Sequence, residues 1–226
     1  MDSLLLEELI KFANINENDI VLDTKCGTGV LSLAIGDIAK HIVAIDSRES
    51  ELVKAKKHSK VVYKCWNFQL ECLINDYFSK VVARRVFPYL SQPKRAIKHS
   101  YTMLARGGWL IMEDEGIYPI ESIEVRDWYT KMIALKEARF NFSIEELMAL
   151  LRVIKFGNIE YKIILKDNFS VNAWLDRANL TEDIYNRILD MYIEAPKEVK
   201  DFYNMKIKNR EVIITNKILL MKGQKI

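Results

Sequence analysis

The chain has 226 residues, half of them hydrophobic and 29% charged, which suits one elaborated globular domain with a substantial core. Thirty-four basic against 31 acidic side chains leave a net charge of +3, too small and too scattered to mark a nucleic-acid-binding surface. Three cysteines, Cys26, Cys65 and Cys72, offer neither a disulfide framework nor a metal-ligand spacing.

The N-terminal MDSLLLEELIKF carries acids where a secretory signal would be basic. No apolar run nears the roughly 20 residues that a membrane span needs. A cytoplasmic protein without membrane or nucleic-acid partners, monomeric or homodimeric, is the expectation.

In chain order, Leu4 to Ala13 has helical spacing and Ile20 to Leu22 is a short apolar strand. Gly29 to Ile35 opens a helix, His41 to Ile45 is a second strand, and Glu49 to His58 reads as a charged helix. Strands follow at Val61 to Tyr63, Val81 to Ala83 and Trp109 to Met112, with a helix over Pro93 to Leu104 before the last. Apolar strands alternating with helices predict a parallel sheet covered on both faces.

After Gly116 the rhythm changes. Ile123 to Glu137 and Ser143 to Lys155 read as helices, the second opened by the N-cap pattern Ser143-Ile-Glu-Glu. Two further strands, Ile159 to Leu165 and Glu211 to Leu220, flank a long helical stretch from Val171 to Asn204, read as a lid or an oligomerisation element. The whole is expected to be one domain over residues 1–226. Its cofactor-binding core lies at about 14–116, with acceptor-side helical elements at about 117–156 and 167–208.

Chemistry concentrates in VLDTKCGTG, Val21 to Gly29. A glycine-punctuated turn between a strand and a helix brings bare main chain and free amides up to a ligand. A second strand ends in Asp46, 17 residues after Gly29. In nucleoside-binding α/β folds an acid near that distance accepts hydrogen bonds from ribose hydroxyls. Taken singly, Asp23 has the plainer role of a helix cap, and Asp46 that of a turn residue.

The succession of VLDTKCGTG, HIVAIDSRE, KVVAR and ARGGWLIMEDE resembles the class I S-adenosylmethionine-dependent methyltransferases over residues 20–115. Within them it is most similar to the ubiquinone/menaquinone C-methyltransferase-like group, which acts on small molecules. The resemblance implies an α/β, Rossmann-like three-layer sandwich. Its sheet would have seven strands, mainly parallel, with the last strand antiparallel and a helical lid.

It also implies roles for single residues. Asp23 would organise the loop near the methionine amino group, Gly27 and Gly29 would make room for the cofactor, and Asp46 with Ser47 would meet the ribose. Asn67 falls where an acid often faces the adenine amino group, and an asparagine oxygen accepts the same bond. Phe68 would offer its backbone amide, and Trp66 or an isoleucine would lie on the adenine.

Lys25 stands at the first loop position, where the family tolerates several small residues, so ordinary backbone angles are expected. Three readings of it stay open: a side chain reaching solvent, an ammonium paired with the cofactor carboxylate or an acidic acceptor, or a decayed site.

The acceptor should lie beyond the carboxyl ends of the fourth and fifth strands, near Arg84, Arg85, Phe87, Tyr89, Asp114, Glu115 and Tyr118. Arg84 is placed on the cofactor side, and Arg85 and Tyr89 are the candidate catalytic pair. Pro88-Tyr89 replaces the histidine pair common in the resembling group, so Tyr89 is the polar candidate. One of the two arginines also reads as a structural ion pair, and Glu137 and Arg139 are further candidates from the helical insertion. Phe87, Tyr89, Trp128, Tyr129 and Trp174 suit an apolar or aromatic small-molecule acceptor. No metal is expected. A non-catalytic partner subunit on the same fold is the alternative.

Overall fold

The computed structural model of the chain describes residues 3–115 and 122–226. Helix α1 (Ser3–Ala13) leads into β1 (Ile20–Thr24), α2 (Val30–Gly36), β2 (His41–Asp46), α3 (Glu49–Leu52) and β3 (Val61–Cys65). Next come β4 (Phe78–Arg84), α4 (Pro93–Met103) and β5 (Leu104–Glu115), then α5 (Ile123–Lys136), α6 (Ile144–Val153) and β6 (Phe156–Ser170). Helices α7 (Val171–Asp176), α8 (Glu182–Ile193) and α9 (Lys197–Phe202) precede β7 (Lys206–Lys208) and β8 (Glu211–Lys225).

Among the described residues the strands form one sheet in the order β3-β2-β1-β4-β5-β8-β6, with β7 antiparallel to β8. The pairs β1–β2, β1–β4, β2–β3 and β4–β5 are parallel. This is the α/β sheet, largely parallel, that the alternation of strands and helices predicts, in the Rossmann-like form that the resemblance implies. All seven expected strands are present, and the three-residue β7 is an addition. Strand order runs outward in both directions from β1 and β4, so the crevice at their carboxyl ends is the place where such sheets receive ligands.

The parallel strands are apolar because both of their faces are covered. Val21, Leu22, Ile42, Ala44, Ile45, Val81, Val82, Leu110 and Ile111 are all at or close to zero exposure. The charged segment read as a helix to His58 is helical only to Leu52. It buries no residue there, so nothing but propensity would extend it.

The chain divides into two compact units. The first is Met1–Asp114, Met148–Lys162 and Leu219–Ile226, and the second is Glu115–Leu147 and Ile163–Ile218. In the second unit α5, α7, α8 and α9 share a core of Val125, Trp128, Met132, Ile133, Val171, Ile188, Leu189 and Val199. Trp128 lies edge-on to Tyr192 at 5.0 Å, and its Nε1 donates to the Met191 carbonyl at 3.2 Å.

Helices α5, α7 and α8 begin where the sequence supplies a cap. Ser122, Ser170 and Thr181 accept from the amides of Val125, Ala173 and Ile184. For α6 the expected capping box is complete: Glu146 N donates to Ser143 Oγ at 3.1 Å and Ser143 N to Glu146 Oε2 at 2.7 Å. The stretch from Val171 to Asn204 is three helices, broken at the left-handed Asn179 and at Pro196.

Candidate active site

A cleft of about 310 Å³ opens in the first unit, lined by Lys25, Asp46, Ser47, Arg48, Trp66, Asn67, Phe68, Val86, Tyr89 and Leu90. Its walls are the loops that follow β1, β2, β3 and β4, at the carboxyl ends of the parallel strands.

The loop after β1 is shaped by main-chain bonds. Cys26 N donates to the Ile45 carbonyl at 2.8 Å, and Gly29 N to the Cys26 carbonyl at 2.9 Å. Gly29, at φ 79°, caps α2, and a methyl group in its place would overlap the Tyr63 hydroxyl. Gly27, at φ 56°, donates its amide to Asp46 Oδ2 at 2.9 Å. Asp46 Oδ1 accepts from the Arg48 amide at 2.9 Å and from Arg48 Nε at 3.2 Å.

Burial alone would raise the Asp46 carboxyl. The Arg48 guanidinium and amide, together with the Gly27 amide, outweigh it and hold the group below the usual carboxylate range. The same contact raises Arg48. Asp46 therefore stands ionised at neutral pH, at the end of a strand and on the cleft wall.

Asp23 contrasts with it. The side chain is fully enclosed and accepts from Ser32 Oγ at 2.6 Å. Burial pushes its carboxyl up to about 6, against the Ser32 hydrogen bond and the charge of Arg84. The neighbouring Cys26 thiol is also driven up, first by burial and then by the charges of Asp23 and Asp46, which leaves it a poor nucleophile.

Lys25 departs from expectation. Its backbone is left-handed, at φ 55°, not ordinary. Its Nζ donates to the Arg85 carbonyl at 3.2 Å and stands 4.4 Å above the Tyr89 ring. The side chain thus runs along the cleft wall to the turn after β4.

Of the sequence candidates, Lys25, Asp46, Ser47, Asn67, Phe68 and Tyr89 share the cleft lining. Gly27 and Gly29 form the loop behind it and Asp23 is enclosed. Asn67 Oδ1 accepts from the Gln69 amide at 3.1 Å. The Phe68 carbonyl lies 2.6 Å from His99 Nδ1, which ties the loop after β3 to α4.

Arg84 and Arg85 both turn to Glu113. Arg84 Nε lies 2.7 Å from Glu113 Oε2, and Arg85 Nε 3.6 Å from Oε1. Phe87, expected near the acceptor, is wholly in the core. Tyr118 falls outside the described residues. Arg139 and Glu137 face one another in the second unit at 3.6 Å, and Arg139 also reaches the Tyr129 hydroxyl there. Trp128 and Tyr129 belong to that unit's core.

Sequence reasoning passes over Arg48 and Glu113. The signal for Arg48 is its place two residues after Asp46. The signal for Glu113 is register, since it pairs with Arg84 across β4 and β5.

Residues 1–160 match a family model described as a methyltransferase domain. Over nearly its whole length the fold resembles that of a methyltransferase candidate from Bacillus halodurans C-125. The TM-score is 0.87 at 22% identity, over 97% of this chain and 98% of that one. Phosphoethanolamine N-methyltransferase 2 of Haemonchus contortus, solved in complex with S-adenosyl-L-methionine, aligns with TM-score 0.64 at 13% identity, over 99% of this chain and 52% of that one. An uncharacterized RNA methyltransferase of Staphylococcus aureus (strain COL) is 29% identical over 68 residues, 30% of this chain and only 15% of that protein. A crevice at the switch between β1 and β4, walled by a glycine loop and an ionised strand-end acid, stands in agreement with the family match: the chain belongs to the methyltransferase-domain family and has the fold of the class I S-adenosylmethionine-dependent enzymes.

Proposed function

We propose that this chain transfers a methyl group from S-adenosylmethionine to a small-molecule acceptor, at oxygen or carbon. A hydroxylated aromatic or a similar metabolite, of the kind handled by the ubiquinone/menaquinone C-methyltransferase-like group, is the acceptor class this reading favours. The observation that carries this reading is Asp46, ionised at the end of β2 and sharing one cleft with Trp66, Asn67 and Phe68.

A ribose presents two hydroxyl donors side by side, and a carboxylate presents two acceptors to match. Each charge-assisted bond contributes about 1.5–3 kcal/mol. The Gly27 and Arg48 amides take one acceptor position on each Asp46 oxygen. The remaining positions are those the Arg48 guanidinium covers, and a ribose would take them as Arg48 turns aside. The Asn67 amide and the Phe68 main chain suit the polar edge of an adenine, and Trp66 its face. The donor set therefore fits a nucleoside.

Bound S-adenosylmethionine supplies an electrophilic methyl carbon on a sulfonium. The residues of the chain supply alignment, an effect worth up to about 7–11 kcal/mol. Ser47 lines the ribose end. Gly27, Gly29, Asp23 and Ser32 hold the loop to its shape, and Arg84 fixes the end of β4 through Glu113. Tyr89 lines the same cleft and would meet the acceptor there. Arg85, half-exposed and held by Glu113, orients an anionic or phenolic acceptor.

Calorimetric titration with S-adenosylmethionine tests this reading. Micromolar binding that falls by at least about a hundredfold in Asp46→Ala is expected, the loss of roughly two such hydrogen bonds. Absence of binding in folded, ligand-free protein would overturn it. Turnover with any acceptor separates the enzyme from a non-catalytic partner subunit that kept the cleft.

A further inference from the structure

A smaller cleft lies wholly within the second unit. At about 220 Å³ it falls below the roughly 300–1,000 Å³ of common ligand pockets, so any occupant is compact. Asp167 and Asn168 near the end of β6, Asn204 and Lys206 at the entry to β7, and Ile213 with Thr215 of β8 line it.

The frame is held by the protein's own bonds. Lys206 pairs with Ile213 in the register of β7 and β8, and the Thr215 amide donates to the Tyr203 carbonyl at 2.8 Å. The Thr215 hydroxyl donates to Asp167 Oδ1 at 2.7 Å, which fastens the end of β6 to β8. Asn168 and Asn204 turn the chain through left-handed backbone, at φ 55° and 46°.

Several polar groups are left over. Among the described residues, Asp167 Oδ2, the Lys206 ammonium and the side-chain amides of Asn168 and Asn204 have no hydrogen bond or ion pair. Asn172, in the same unit, is the contrast: its amide donates to the Arg210 carbonyl at 3.1 Å and accepts from the Val212 amide at 3.0 Å. An acid and a base thus share one cleft without pairing, beside two amides that each donate and accept.

A lone anion there would meet Asp167, and a lone cation would meet Lys206. A molecule that carries both charges satisfies each side and is refused by neither. We propose that this cleft binds a small zwitterion of the amino-acid type, its ammonium on Asp167 Oδ2 and its carboxylate on Lys206, with the two asparagine amides completing either end. The site shares no residue with the cleft of the first unit and does not rest on the nucleoside reading.

Nuclear magnetic resonance titration of the full chain tests it, with the side-chain amide signals of Asn168 and Asn204 as the readout. Glycine and β-alanine are the zwitterions, acetate the anion alone and ethanolamine the cation alone. In wild type at least one zwitterion should shift both amides with saturation in the millimolar range, and acetate and ethanolamine should bind about tenfold more weakly or not at all. Asp167→Asn, which keeps an acceptor for Thr215, and Lys206→Gln should each weaken the zwitterion by about tenfold. Each should also change the preference in its own direction, Asp167→Asn towards acetate and Lys206→Gln towards ethanolamine.

Shifts that do not saturate, or that spare both asparagines, overturn the proposal. So does binding of acetate or ethanolamine to wild type as tight as that of the zwitterions, and so does a preference that neither variant alters.

Discussion

After β1 the chain turns through Lys25 at φ 55°, and after the neighbouring β4 it turns through Arg85 at φ 52°. Both are basic residues in a left-handed backbone, which disfavours each by about 1–2 kcal/mol. Each turn is fixed by an acidic residue near the end of the strand on its outer side, one through its side chain and the other through its main chain. Asp46 of β2 accepts from Gly27, while the Glu113 main chain of β5 accepts from Arg85 N at 2.7 Å.

There the likeness stops. Asp46 stands on a cleft wall, covered by a guanidinium that is half-exposed. Glu113 is wholly enclosed and faces two arginines of its own turn. One local arrangement thus lines an open cleft on one side of the sheet's switch point and supports the scaffold on the other.

Removing the scaffold acid should have the largest effect on stability. Glu113→Ala leaves the mostly buried Arg84 and the half-exposed Arg85 without their carboxylate, and loss of one partner from a buried pair destabilises by about 3–5 kcal/mol. Urea denaturation measures it. Asp46→Ala, compared in the same experiment, should lose less stability and more ligand binding. Equal losses of stability would erase the distinction between the two acids.

Within the first turn the two glycines are unequal. At Gly29 an added methyl meets the Tyr63 hydroxyl and ring in addition to an unfavourable φ. At Gly27 nothing lies nearer than Glu51 Oε2 at 4.0 Å. Gly29→Ala should therefore destabilise by about 3 kcal/mol, and Gly27→Ala by about 1 kcal/mol, the backbone effect alone. Thermal melting resolves the difference, and a matched pair of shifts would mean that the Tyr63 contact yields freely.

Asp23 provides a pH signature. Its folded value, pushed up to about 6 by burial, lies above the ordinary 3.8. The folded state then binds the proton more tightly than the unfolded chain, so this group's contribution is most favourable below about pH 4. It declines between about pH 4 and 6 and is level above, a change on the order of 2–3 kcal/mol. Asp23→Asn keeps an acceptor for Ser32 and should remove that decline, gaining stability at pH 7–8. A wild-type minus variant difference that is flat from pH 4 to 7 would show the carboxyl to be ordinary.

The seven expected strands, the cap of α6 and the strand-end acid were legible in the sequence because each follows from a local rule. Alternation gives the sheet, Ser143 with Glu146 gives the cap of α6, and an acid closing HIVAI gives Asp46. The turns at Lys25 and Arg85 were not, because a basic residue is a poor marker of a left-handed backbone that tertiary hydrogen bonds impose. Glu113 hid inside WLIMEDE, where only the register between β4 and β5 singles it out from Asp114 and Glu115. The early stop of α3 was invisible for a related reason: a charged helix with no partner surface has the same sequence signature as one that packs.

The smallest predicted effect bears most directly on the comparison of the two turns. Lys25→Gly relieves the left-handed strain, gaining about 1 kcal/mol. It gives back about half of that through the greater freedom of glycine in the unfolded chain, and a little more through the lost contact with Tyr89. The net should lie within about 0.5 kcal/mol of zero. Arg85→Gly relieves the same strain but also removes an ion-pair partner of the buried Glu113, so it should be net destabilising by about 1–2 kcal/mol. If both variants were equally neutral, Glu113 would be satisfied by Arg84 alone. If Lys25→Gly were the more damaging, the lysine would be fastening the β1 and β4 turns together through the Arg85 carbonyl. The ligand side of the crevice would then have a structural duty of its own.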